Sequence, residues 1–163
     1  MKFESRYYTT KEMYKEYIFK VLCKHLTILG IIVAVCAFLL SVIFINESKL
    51  TVGLMLGAGI ISLLTAIFTP YVTLKQLLDL DSKLHSGVKY EVVVTFDDKI
   101  TLTEGAQTIS VDYSQIIKYH KLKTCSVLMF SNQNGVMFDE NHFTVGNKED
   151  FDKFIHEKCE NLR

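Results

Sequence analysis

Near the C-terminus, His156 and Cys159 stand three residues apart, a spacing that puts two possible Zn²⁺ ligands on one helix face. A structural zinc site needs four ligands, and Cys23, Cys36 and Cys125 supply no second pair at suitable spacing. Cys159 also falls on an apolar stripe with Phe151, Phe154, Ile155 and Leu162, so it reads as a small core hydrophobe. Asp79-Leu80-Asp81 has the form of a DxD metal motif or the opening of a calcium loop. An EF-hand places glycine at the sixth position, where Leu84 stands, so these carboxylates read as a solvated helix face. Asp97-Asp98 and Asp139-Glu140 read as turns.

Lys118, Tyr119, His120, Lys121 and Lys123 form the remaining constellation, a basic and aromatic cluster in a predicted strand and turn. Beside a bilayer, such lysines meet anionic headgroups at about 1 kcal/mol each. As an ordinary strand edge, they discourage edge-to-edge pairing. The edge reading is preferred, with weak lipid or partner binding as the alternative. No glycine-rich phosphate loop, CxxC pair or serine–histidine–aspartate context singles out a catalytic residue. The sequence therefore predicts no catalytic residue, no metal, no cofactor and no enzyme.

Two runs without Asp, Glu, Lys or Arg, residues 26–45 and 50–74, flank the short connection Asn46-Glu47-Ser48-Lys49. A membrane span needs about 20 apolar residues, and both runs reach that length. So short a connection returns the second helix beside the first, giving a hairpin with both termini on one side. Lys11, Lys15, Lys20 and Lys24 precede the hairpin, Lys75, Lys83 and Lys89 follow it, and its loop has only Lys49. Basic residues favour the cytoplasmic side, so both termini are predicted there. A cleaved signal peptide is disfavoured, because its apolar region spans only about 7–15 residues. The sequon Asn46-Glu47-Ser48 reads as a helix cap and turn, and Cys125 and Cys159, in a cytoplasmic domain, read as reduced. Formal net charge is zero, which gives no general attraction to nucleic acid.

Within the spans, small residues recur at Gly30, Ala34, Ala37 and Ser41, and at Gly53, Gly57, Ala58, Ser62 and Ala66. Small residues let helix backbones approach closely in lipid. Packing within the hairpin is preferred as their use, with Gly53 and Gly57 (a GxxxG) also offering a possible homodimer. Pro70 predicts a kink or exit, because it removes a donor to the carbonyl of Ala66. Residues 1–25 read as an interfacial helix with Tyr7, Tyr8, Tyr14, Tyr17 and Phe19 among lysines. Residues 75–87 read as a juxtamembrane amphipathic helix ended by Ser86-Gly87.

From residue 88 the period changes from 3.6 to 2. Tyr90, Val92, Val94 and Phe96 alternate, then Ile100 and Leu102, then Ile109, Val111 and Tyr113, separated by turns at Asp97-Asp98 and Glu104-Gly105. Further strands are predicted within residues 116–122, 125–130 and 136–138, with Asn134-Gly135 as a type I′ hairpin turn. Asn147 caps a final helix with Glu149 and Asp150 in its first turn.

Three stretches carry a family likeness. They are Val94-Thr95-Phe96-Asp97-Asp98, Ile109-Ser110-Val111-Asp112-Tyr113-Ser114-Gln115-Ile116, and Phe143-Thr144-Val145-Gly146-Asn147-Lys148-Glu149-Asp150-Phe151. With two preceding spans, the chain over residues 10–160 resembles the YcxB-like family of small bacterial membrane proteins. Many relatives place a proline and a basic residue where this chain has Asp139-Glu140-Asn141-His142. The resemblance implies a pleckstrin-homology-like bent barrel of seven strands closed by one helix, in a protein of the bacterial plasma membrane. It brings no defined catalytic residue.

The expected fold is thus an α+β membrane protein. An interfacial helix (1–25) leads into a hairpin over 26–74, with spans 26–45 and 50–70. A linker helix (75–87) and a cytoplasmic YcxB-like domain (88–163) follow. The expected role is non-catalytic binding of a protein or peptide partner, of protective (immunity-type) or regulatory kind. The alternative role is lipid sensing or envelope-stress regulation through headgroup contacts.

Overall fold

The computed structural model describes residues 3–46, 48–84, 88–159 and 161–162. The chain divides into two compact units, residues 18–78 on one hand and residues 1–17 with 79–163 on the other. The expected turn at Glu47 and helix stop at Ser86-Gly87 lie outside the described residues.

The helical unit is a pair of long apolar helices, α2 (Lys24–Ile43) and α3 (Lys49–Leu84). Small residues set their approach. A Cβ on Gly30 would lie 2.7 Å from the Ala66 Cβ, and one on Gly59 would lie 3.2 Å from the Ala37 Cβ. The Ser62 hydroxyl donates to the Gly30 carbonyl at 3.0 Å, and Ala34 and Ala66 are buried. Pro70 does not end the helix, since α3 runs through it to Leu84. The carbonyl that Pro70 deprives of a partner is that of Ala66, and the Thr27 hydroxyl stands 3.5 Å from it. Such substitution of a side-chain donor is how apolar helices tolerate proline. The amphipathic stretch after residue 75 is therefore the end of α3, not a separate helix.

Among the described residues, the other unit has eight antiparallel strands. They are β1 (Phe3–Tyr8), β2 (Glu91–Phe96), β3 (Ile100–Glu104), β4 (Gln107–Val111), β5 (Lys118–Lys121), β6 (Ser126–Met129), β7 (Gly135–Phe138) and β8 (Phe143–Val145). One sheet runs β4-β3-β2-β1-β8, and the other β5-β6-β7. The described strands thus form two sheets rather than the closed seven-strand barrel expected from the resemblance.

Residues 1–25 are not one interfacial helix. Phe3, Ser5 and Tyr7 are buried while Arg6 and Tyr8 are exposed, and β1 pairs along its whole length with β2, Phe3 opposite Phe96 and Tyr7 opposite Val92. Period-2 burial defines a strand with one face in a core. The helix that follows, α1 (Lys11–Tyr17), buries Met13, Tyr14 and Tyr17. The Tyr14 hydroxyl donates to Asp81 Oδ1 at 3.2 Å, and Glu16 Oε2 accepts from both the amide and the hydroxyl of Thr124 at 2.8 Å. A π-helical stretch, Ile18–Leu22, then precedes α2. The β unit is consequently made of both ends of the chain, not of residues 88–163 alone.

The core is aromatic. The last helix, α4 (Lys148–Lys158), buries Phe151, Phe154 and Ile155, with Cys159 buried just beyond. The Phe151 ring meets Phe96 edge-on at 4.7 Å, Phe138 at 5.1 Å and Phe3 at 5.3 Å between centroids. Asn147 caps α4, accepting from the Asp150 amide at 2.9 Å, as its type and position predict. Gly105 turns β3 into β4 with φ +57°, also as expected. Asn134-Gly135 is not the turn itself. Gly135 lies in β7, and the Asn134 carbonyl accepts from the amides of Phe130 and Ser131. Glycine is required at 135 for space, because a Cβ there would lie 2.6 Å from Met129 Sδ.

Candidate binding groove

The strand period divides the basic cluster. On β5, Tyr119 and Lys121 point one way, Lys118 and His120 the other. Tyr119 and Lys121 turn toward α4. The Tyr119 hydroxyl lies 2.5 Å from Glu140 Oε1 and 3.2 Å from Asp152 Oδ1, and Lys121 Nζ lies 2.5 Å from Asp152 Oδ2. Lys118 and Lys123 are exposed, and neither has an ion-pair partner among the described residues. The five side chains do not share one surface.

Glu140 organises what Tyr119 joins. It is 7% exposed, in the 3₁₀ turn Glu140–His142 between β7 and β8. Its Oε1 accepts from the hydroxyls of Tyr119 and Ser126, and its Oε2 lies 2.8 Å from Lys148 Nζ at the start of α4. Burial alone would push this carboxyl up. Hydrogen bonds from Lys148, Ser126 and Tyr119 outweigh that and hold it below the usual range. Burial and the bond to Glu140 push the Tyr119 phenol far above its ordinary value, so it remains a donor. Glu140 thus ties β5, β6 and α4 together with every contact satisfied, which is a structural role.

Beside this network lies an open groove of about 540 Å³. Arg6, Tyr7 and Tyr8 line it from β1, Lys123 and Thr124 from the β5–β6 turn, and Asp139, Asn141 and His142 from the 3₁₀ turn. Asp139 caps that turn, accepting from the Asn141 amide at 2.9 Å, and its other oxygen lies 2.7 Å from His142 Nδ1. Ser5 and Tyr7 anchor the groove's floor. The Ser5 hydroxyl donates to the Asp139 carbonyl at 2.7 Å, and the Tyr7 hydroxyl to the Met137 carbonyl at 2.6 Å. The sequence marks Tyr8 only as an interfacial aromatic and gives Arg6 and His142 no role; for the two β1 residues the alternation over residues 3–8 is the available signal.

His156 is exposed and Cys159 buried, so they do not converge, and no cluster of potential metal ligands occurs among the described residues. Burial pushes the Cys125 and Cys159 thiols up to about 11, which disfavours the nucleophilic thiolate. In the helical unit, Gly30, Ala34 and Ser62 lie in the helix–helix contact. Gly53 and Gly57 do not, since a Cβ at either would meet nothing within 4 Å, and Ala58 is exposed.

No family model, curated protein or solved structure matches this chain.

Proposed function

We propose that the chain is an integral membrane protein of YcxB-like kind, whose α2–α3 hairpin holds a non-catalytic, pleckstrin-like binding domain at the cytoplasmic face of a bacterial plasma membrane. The observation that carries the membrane part is the exposure of the two long apolar helices. Only 11% of the apolar window in each is buried, whereas a core helix of a soluble protein hides most of its length. Ile43 is 70% exposed and Leu50 73%. In water such surface far exceeds the apolar patches that soluble monomers leave open. Lipid covers it without penalty.

The binding part is supported by the groove, which is lined from β1, the β5–β6 turn and the 3₁₀ turn. The partner is a protein or peptide, in a protective or regulatory role. Lipid sensing has a narrower basis than the sequence offered, because Lys121 and Tyr119 are engaged by Asp152 and Glu140. Two exposed lysines remain for headgroups.

Crosslinking in intact cells tests the reading. Full-length chain is compared with a Phe96→Asp variant, whose buried charge unfolds the β unit while leaving the hairpin. A specific protein captured by the first and lost with the second supports a binding domain. Self-crosslinks alone, equal in both, would instead favour a hairpin oligomer.

A further inference from the structure

We infer that the groove beside residues 6–8 of β1 takes an extended peptide bearing a carboxylate, with Lys123 as the group that meets it. The inference rests on the binding-domain reading and names the chemistry of the partner. β8 pairs with β1 only at Glu4 and Ser5, where the register also shifts. Residues 6–8 pair with β2 on their other side, and no described strand pairs with them here. An extended peptide can lie along such a margin, taking main-chain hydrogen bonds from the strand.

Charge selects among peptides. Most charged groups lining the groove are already matched. Arg6 Nε lies 2.7 Å from Glu4 and its Nη1 lies 3.8 Å from Glu91, while Asp139 is engaged by His142. Lys123 is the one charged lining residue with no ion-pair partner among the described residues. A single carboxylate complements a single unmatched ammonium. A phosphate or a lipid headgroup is a poorer fit, because it calls for several converging donors where Lys123 alone is unmatched. Tyr8, 56% exposed, adds an aromatic face for an apolar neighbour on the peptide.

The test uses full-length protein in nanodiscs and a fluorescent octapeptide of alternating valine and glutamate, read by anisotropy, with a valine–lysine octapeptide as comparison. The expected result is binding of the acidic peptide only, weakened about tenfold or more by Lys123→Glu and retained by Lys123→Arg. Amide exchange at residues 6–8 should slow on binding. Lys123 is an exposed turn residue, so neither substitution threatens the fold. Equal binding by Lys123→Glu, equal binding of the basic peptide, or no binding would overturn the inference. Slowed exchange elsewhere on the β unit would overturn the groove while leaving the binding-domain reading intact. A crosslinking experiment that captured no partner would overturn that reading itself.

Discussion

At the scale of single residues, Glu140 decides more than its turn-like sequence context suggests. A carboxylate almost without solvent is stable only while its three donors hold it. Replacing it with alanine strands Tyr119, Ser126 and Lys148 and should destabilise the β unit by about 2–4 kcal/mol, measured by denaturant unfolding in detergent. Tyr119→Phe removes one donor and should lower stability by about 1 kcal/mol. The pH dependence has a definite sign. Glu140 titrates lower in the folded chain than a free glutamate, so its contribution is complete above about pH 4.3. That contribution is lost as the pH falls through the folded value. Glu140→Gln should therefore flatten the acid limb of stability, and an unchanged limb would remove Glu140 from the account. The thiols give a second residue-scale prediction. Cys125 and Cys159 are buried with raised pKa values, so neither should alkylate at neutral pH until the β unit unfolds.

At the scale of elements, the N-terminal strand carries the least expected load. Phe3 is fully buried, with its ring against Phe143, Phe151 and Phe154. Phe3→Ala should cost about 3–5 kcal/mol, as large core truncations do. A fragment beginning at residue 88 lacks β1 and should fail to give a cooperative unfolding transition. Much of this architecture was legible in the sequence. The alternation from Val92 to Val111 located β2, β3 and β4, and the Phe151–Phe154–Ile155 stripe located the buried face of α4. The N-terminal strand was hidden because the aromatic residues from Tyr7 to Phe19 among lysines suggest an amphipathic helix as readily as a strand followed by a helix. Only pairing with β2, more than eighty residues away in sequence, settles the period. The groove was illegible for the same reason, since its walls come from β1 and from turns far along the chain. In the hairpin, the two glycine sets separate cleanly. Gly30→Ile collides with Ala66 and should disrupt helix packing, whereas Gly53→Ile and Gly57→Ile should leave it intact, as read by disulfide crosslinking of cysteines placed across α2 and α3.

At the scale of the whole molecule, two helices long and apolar enough to cross a membrane connect in sequence to a β unit assembled from residues 1–17 and 79–163. About 30 Å of hydrocarbon matches a 20-residue helix such as α2. The 36 residues of α3 exceed that thickness, and its polar end after Leu78 belongs to the β unit. Under the proposed function, the lysine distribution places the β unit on the cytoplasmic side and the hairpin turn on the opposite side. Thiol labelling of intact cells with a membrane-impermeant reagent tests this most directly, using single cysteines at Ser48 and Ser114 in a chain whose native cysteines are replaced. The account predicts labelling of the Ser48→Cys protein from outside, and of the Ser114→Cys protein only after the membrane is permeabilised. Equal labelling of both before permeabilisation would contradict the membrane hairpin on which the proposed function depends.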